Sequence, residues 1–545
     1  MSMKKGFRYN RIVLVLLIIS LVTVSTSCGK KTEPPNQAVT KPQIITYNLA
    51  SEPKTLDPAS TTGVIEGTVE MALLEGLTRL NPSRVPEPAM AETWTVSPDG
   101  KTYTFKIREN AKWTNGDPVT ARDFEYAWKR VLDPQTAARS SYLLFGIKNA
   151  EKFNNEEAKV EEVGVRAVDE RTLKVDLETP LPYFVSLVSM PNFYPVNSKA
   201  VAKGENWYAT PEGMVGNGPF VMEKWEHQQK IIMKKNPNYW DAAKVKLEQL
   251  TFVMVESIDT GLTMFETGQV DIQDEAPARQ IPRLQSTGSL RLDPDPSVYY
   301  YTLNCKQTPL NDPRVRKALS YAINRKVLVE KVTQAGEKPA LGFVPYGIPD
   351  ALPQNDFRQV GGDLFPDGDV AQAQKLLAEA GYPGGNGFPK LTLLYNNQEN
   401  HKLMAEAIQE MWRSGLGIQI ELRGEEWQSY LDSLDGQRFD IAWTGWQPDY
   451  LDPMTFMELN TSDNSNNLGA WSNPEYDRLI NQAKESGDQK TRMDSMHAAE
   501  KILMDEMPVV PIYSYVNPSL YKPGVKGVFY PLLGSYQEFK WGYVE

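Results

Sequence analysis

One apolar run near the start of the chain limits what the rest can become. Ile12 to Val24 is broken only by Ser20 and Thr23, and it follows a basic opening of Lys4, Lys5, Arg8 and Arg11. The run is short of the roughly 20 residues a membrane-spanning helix needs. Basic start, short apolar stretch and the small residues Ser25-Thr26-Ser27 together form a secretory signal, assigned to residues 1–27. The remainder of the chain is therefore expected to fold as a globular body outside the cytoplasm. With 545 residues in the chain, that body is too long for one core, and two or three domains are expected.

Charge and chemistry narrow the function. Without the signal the chain carries 54 basic and 69 acidic residues, a balance of −15, which would repel nucleic acid. His227, His401 and His497 are the only histidines, and they are far apart. No His-Glu-x-x-His, Gly-x-Ser-x-Gly or phosphate-loop pattern occurs, and the Gly-rich stretch Gly213–Gly218 reads as a plain loop. The expectation is a protein without enzymatic activity, cofactor or metal. Twelve Trp and twenty-five Tyr are enough to fill cores and also to line a binding cleft.

Local patterns give an α/β chain. Ile44 to Leu49 alternates as a strand, and Gly67 to Leu77 is predicted helical, with Val69, Leu73, Leu74 and Leu77 on one side. Ser97-Pro98-Asp99-Gly100 is a turn in which Pro presets φ and Gly accepts positive φ; Tyr103, Phe105 and Ile107 alternate after it, giving a hairpin. Thr120, with Asp123 three residues on, caps a helix carrying Phe124, Ala127, Trp128 and Val131. Asp293-Pro294-Asp295-Pro296 is a Pro-rich crossing, and Val509 to Tyr513 is a strand. Phe439 to Trp443 is a short apolar strand that runs into Gly445, Trp446, Gln447, Pro448 and Asp449. Asp449 either shapes a turn beside Pro448 or grips a positively charged ligand group.

Several blocks in a fixed order resemble a known family. They are the Ser97–Gly100 hairpin, Trp113-Thr114-Asn115-Gly116-Asp117-Pro118-Val119-Thr120-Ala121, the helix from Asp123 to Trp128, Val215-Gly216-Asn217-Gly218-Pro219-Phe220, and Lys235 to Trp240. Tyr299 to Asn304, Asn311 to Leu319, the helix from Ala371 to Gly381 and the Phe439–Pro453 stretch complete the set. The pattern resembles the bacterial extracellular solute-binding proteins, family 5, of oligopeptide and dipeptide ABC importers, and it covers the whole chain after the tether. Cys28, directly after small residues, resembles the lipoprotein signal, in which that Cys is lipidated; Ser25 stands where Leu is usual. Residues 28–42, with Pro34, Pro35 and Pro42, would be the tether to the membrane. With Cys28 lipidated, Cys305 has no disulfide partner and reads as a buried small hydrophobe.

The resemblance implies a periplasmic-binding-protein-like fold of two lobes with a hinge, plus one inserted domain. Domain I would hold 43–80, 198–296 and 513–545; domain II, the insertion, 81–197; domain III, 297–512, with hinges near Pro296 and Ile512. It implies a monomeric carrier that delivers oligopeptides to membrane permease and ATPase subunits. Asp449 matches the acid that binds the peptide α-amine. Gly445, Trp446 and Gln447 would give main-chain contacts, with Thr62, Gly63 and Val64 facing them. Trp446 and Trp427 would be pocket walls, or else ordinary core, and Tyr142 and Tyr301 are further cleft candidates. His401 matches a residue near the far end of the ligand, or is a plain helix-start His. At that end Trp443 replaces an Arg of some members, and Thr333 stands where others have a Lys. A cell-wall peptide, a signalling peptide or a nickel or haem chelate are alternatives on the same fold; a secreted peptide hydrolase is the rival class.

Overall fold

The computed structural model describes residues 41–545 apart from 62, 353, 465 and 532–535, and not the side chains of 278, 399, 427 and 428. The signal, Cys28, the tether up to residue 40 and Thr62 lie outside the described residues. No helix among the described residues is long and apolar enough to cross a membrane.

The scaffold is one mixed sheet of eleven strands. Its centre is formed by two long antiparallel strands, Leu290–Leu303 and Val509–Tyr521. On one side lie Ile441–Trp446, Leu391–Asn396 and Ile420–Glu425; on the other, Ile272–Gln273, Ile44–Asn48, Gln249–Val253, Lys230–Lys235 and Phe220–Glu226. The short strand Lys338–Pro339 adds to Val509–Tyr521 at Ser514 and Tyr513. The long pair serves both halves in turn. Leu290–Pro294 pairs with Val516–Leu520 beside the N-terminal strand set, and Val298–Thr302 pairs with Val509–Ser514 beside the other. Between them the register breaks at Asp295, Pro296 and Ser297, opposite Tyr515. A proline cannot donate to a ladder, so Pro294 and Pro296 account for the break.

A second, four-stranded antiparallel sheet runs Ala91–Val96, Thr102–Ile107, Thr172–Asp176, Val165–Ala167. Its first hairpin turns where Pro98-Asp99-Gly100 predicts, with Gly100 at φ 71°. The helix Ala121–Leu132 packs beside it through buried Phe124, Ala127, Trp128 and Val131. The Thr120 N–H and hydroxyl both donate to the Asp123 carboxylate, at 2.7 and 2.9 Å.

The helix expected over Gly67–Leu77 is displaced: it runs Val64–Leu73. Tertiary pairing overrides the periodicity. The Gly76 carbonyl accepts from the Met90 N–H, and the Leu77 carbonyl from those of Ala89 and Ala91, which draws the chain out into the strand Thr78–Leu80. Cys305 is free, half-buried and bonded through its S–H to the Leu303 carbonyl at 3.4 Å; burial pushes its thiol up to about 11, so it carries no thiolate at neutral pH.

Candidate functional site

The strand Ile441–Trp446 has two unequal edges. One pairs along its whole length with Val298–Leu303. The other meets Leu391–Asn396 only at Ile441 and Ala442, after which the neighbour diverges. From Trp443 onward that edge has no strand beside it among the described residues. The Tyr430 hydroxyl, from helix Trp427–Asp435, donates to the Trp443 carbonyl and closes the edge there. Because successive residues of a strand point their main-chain groups to alternate edges, the next pair in line is that of Gly445. Gly445 is exposed, and a Cβ there would meet nothing closer than 3.6 Å. Packing therefore does not dictate a glycine at this position.

Beyond Trp446 the chain turns under tight restraint. A single hydroxyl, Thr455 Oγ1, accepts from the Trp446 Nε1–H and from the Asp449 N–H, each at 3.2 Å. Tyr450 stacks on Tyr183 with centroids 4.2 Å apart and an interplanar angle of 4°, and its hydroxyl donates to Glu458 at 2.7 Å. Asp452 is held by buried Arg492 at 2.8 and 2.9 Å. The Asp449 side chain is thus presented by a rigid loop. It accepts from the Tyr142 hydroxyl at 3.2 Å and forms no ion pair among the described residues. Burial raises its pKa above the usual carboxylate range, the Tyr142 hydrogen bond opposes that, and the charge of Glu458 adds to it. Asp449 opens on a cavity of about 210 Å³ shared with Thr61, Arg139, Tyr142, Asn192, Gln447 and Tyr536.

A second cavity, of about 400 Å³, adjoins it through Gln447, which lines both. Its other walls include Tyr47, Asn48, Val64, Thr68, Asp274 and Asn517. The loop that leads into Gly63 and Val64 is clamped from afar. Asp57 accepts from Arg130 at 2.7 and 2.5 Å and from Trp207 at 3.3 Å, and Asn192 donates to the Thr61 carbonyl at 3.1 Å. Asp274, partly buried, accepts from Tyr530 at 2.7 Å, from Gln537 at 3.0 Å and from Tyr47; burial pushes it up to about 6.

The remaining sequence candidates gather at the Trp443 end. Trp443 lies 3.8 Å from the His401 ring and 5.7 Å from those of Tyr299 and Tyr430. His401 Nδ1 is 3.2 Å from the Tyr299 hydroxyl, and burial alone lowers the imidazole to about 4. Tyr301 is 1% exposed, behind this cluster and not on an open wall. Trp427 opens its helix, and its side chain is not among those described. The structure thus joins Val64, Gln447, Tyr142 and Asp449 around two adjoining cavities, and Trp443, His401 and Tyr301 in one aromatic cluster. Sequence reasoning did not find Arg139, Asn192, Tyr430, Asp274 or Tyr536. Each is brought to the site by an element distant in sequence, and no local pattern marks it. The other histidines pair with single acids, His227 with Glu52 and His497 with Asp350, and no cluster of metal-ligating side chains occurs among the described residues.

Comparison with known proteins places this geometry. The model of the bacterial extracellular solute-binding proteins, family 5 (Middle), matches residues 85–467. The dipeptide-binding protein DppE of Bacillus subtilis is 39% identical over 521 residues, 95% of each chain. The unliganded open form of the periplasmic murein tripeptide-binding protein MppA superposes with a TM-score of 0.81 at 37% identity, over 92% of this chain and 98% of that one. Haemophilus influenzae OppA in complex with RPPGFSPFR gives 0.70 at 34% identity, over 92% and 99%. The fold is that of the periplasmic-binding-protein-like α/β proteins, and the chain belongs to the bacterial extracellular solute-binding proteins, family 5.

Proposed function

We propose that this chain is the solute-binding component of an ABC importer and captures oligopeptides. The observation that carries the reading is a carboxylate without a cation partner at the end of an unpaired strand edge. Strand addition along Gly445 would satisfy the peptide backbone whatever its sequence. Asp449 would neutralise the leading α-amine, a charge that cannot be enclosed unpaired. Gly63 and Val64, beyond the shared cavity, would face the ligand from the other lobe, and Thr62 would belong to that segment. The relatives' names as dipeptide- and oligopeptide-binding proteins point the same way.

The lobes of this reading are domains I and III, with domain II (81–197) inserted in I. They would close about the register break at Asp295–Ser297 and Tyr515, close to the Pro296 and Ile512 of the sequence expectation. The body would be a monomer tethered by a lipidated Cys28 and would hand peptide to permease and ATPase subunits. Calorimetry with a mixed tripeptide-to-pentapeptide library tests it. Saturable binding with peptides recovered intact is expected; hydrolysis of the bound peptide, or a preference for a metal chelate over peptide, would overturn it.

A further inference from the structure

If a ligand lies along the open edge with its amine at Asp449, it runs antiparallel to Ile441–Trp446 and its far end comes to Trp443. This step rests on the peptide-binding reading above. The chemistry waiting there is unusual for a site meeting a peptide terminus, because the ring cluster holds no cation among the described residues. The rings of Trp443, His401, Tyr299 and Tyr430 form one cluster of tilted contacts, extended by Tyr513, which stacks on Tyr299 at 4.7 Å. Burial lowers the pKa of His401 to about 4, which keeps it neutral at neutral pH.

Three basic residues of the adjoining elements are engaged elsewhere. Lys402 pairs with Glu406, Arg413 with Glu410 and Arg423 with Glu425. Lys338 shares a face with Ser514, opposite Tyr513 and Tyr515, and lies over the Tyr346 ring. The charged groups that do act on the Tyr513–Tyr515 pair are acids: Asp295 on Tyr515, and Glu337, held by the Thr333 hydroxyl at 2.7 Å, on both. The Trp443 Nε1–H is buried and has no hydrogen-bond partner among the described residues.

A carboxylate enclosed against such a wall would lose its hydration and gain no opposite charge. A neutral ligand group, aromatic or amide, would instead stack on the rings and take up the vacant indole N–H. We infer that the Trp443 end of the cleft recognises an uncharged part of the peptide by stacking and neutral hydrogen bonds, and that the peptide's terminal carboxylate is not a recognition element. Trp443 is then the residue that sets this specificity.

The test needs no mutation. Matched tripeptides to hexapeptides are titrated into the wild-type protein as free acids, as C-terminal amides and as N-acetylated free acids. At each length that binds, amidation should weaken affinity by less than about threefold, while N-acetylation should weaken it by about tenfold or more. A loss of threefold or more on amidation, with N-acetylation still costly, overturns this inference and leaves the peptide reading standing. Harmless N-acetylation, or no binding at any length, removes the reading on which it rests. Trp443→Arg adds a second readout, the acid-to-amide affinity ratio, which a general loss of stability does not move. That ratio should rise above about fivefold, and an unchanged ratio would place the ligand's end elsewhere and overturn the inference.

Discussion

Asp449 is a charge whose burial is only partly compensated in the empty protein. One hydrogen bond from Tyr142 opposes the desolvation that raises its pKa. A bound ammonium needs the ionised form, so affinity should be full at neutral pH and fall as the pH drops through that raised value, earlier than for an exposed carboxylate. Titrating peptide affinity against pH checks this, and Asp449→Asn should flatten the profile. His401 acts on stability. Its folded pKa, about 4, lies below the ordinary 6.5, so between those values the unfolded chain binds more protons. Its contribution is fully present above about pH 6.5 and is lost as the pH falls to about 4. Asp274, raised from 3.8 to about 6, works in the opposite sense, its folded form losing stability as the pH rises through that window. Thermal unfolding of wild type and His401→Gln at pH 7 and 4.5 separates the two: wild type should lose more stability on acidification than the variant. The place of Asp449, in the loop after the strand Ile441–Trp446, was legible from the local Gly-Trp-Gln-Pro-Asp pattern. Its partner Tyr142 is 307 positions away in sequence and was legible only through the family resemblance.

At the scale of elements, what could be read was what is local. The Pro98-Asp99-Gly100 hairpin and the Thr120-capped helix form where their own residues dictate. The helix end at Leu73 does not, because the pairing of Gly76 and Leu77 with residues 89–91 is tertiary. The same holds for the clamp of Asp57 by Arg130, and for the tie of the C-terminal segment to the first lobe. There Arg79 bridges Glu75 at 2.8 Å and Glu538 at 2.5 Å, all three buried. Removing the cation strands two buried carboxylates, so Arg79→Met should cost about 3–5 kcal/mol in a urea unfolding titration. A cost below about 1 kcal/mol, the scale of an exposed pair, would show that Lys540, 4.0 Å from Glu75, already carries the network. The free edge of Ile441–Trp446 was also hidden from the sequence, since it arises where a neighbouring strand diverges after Leu394.

For the whole molecule, on the proposed reading, the two long strands that serve both half-sheets would provide the axis of motion. Their register breaks at the Pro-rich Asp295–Ser297 and shifts again between Tyr299 and Tyr300, so bending there would leave the paired strands on either side in place. Saturating peptide should therefore compact the protein in small-angle scattering, driven by contacts that exist only when the lobes meet. The crossing at Tyr515 was not readable from the sequence, because strand register is a property of the assembled sheet. The central claim is that one carboxylate neutralises the ligand's leading amine. It is tested most directly by calorimetry of one binding peptide and its N-acetylated form against wild type and Asp449→Asn. Each change alone should weaken binding by about tenfold or more, at least about 1.4 kcal/mol, and the two together should add little to either. Full-strength binding of the acetylated peptide by wild type, or strictly additive losses, would contradict it.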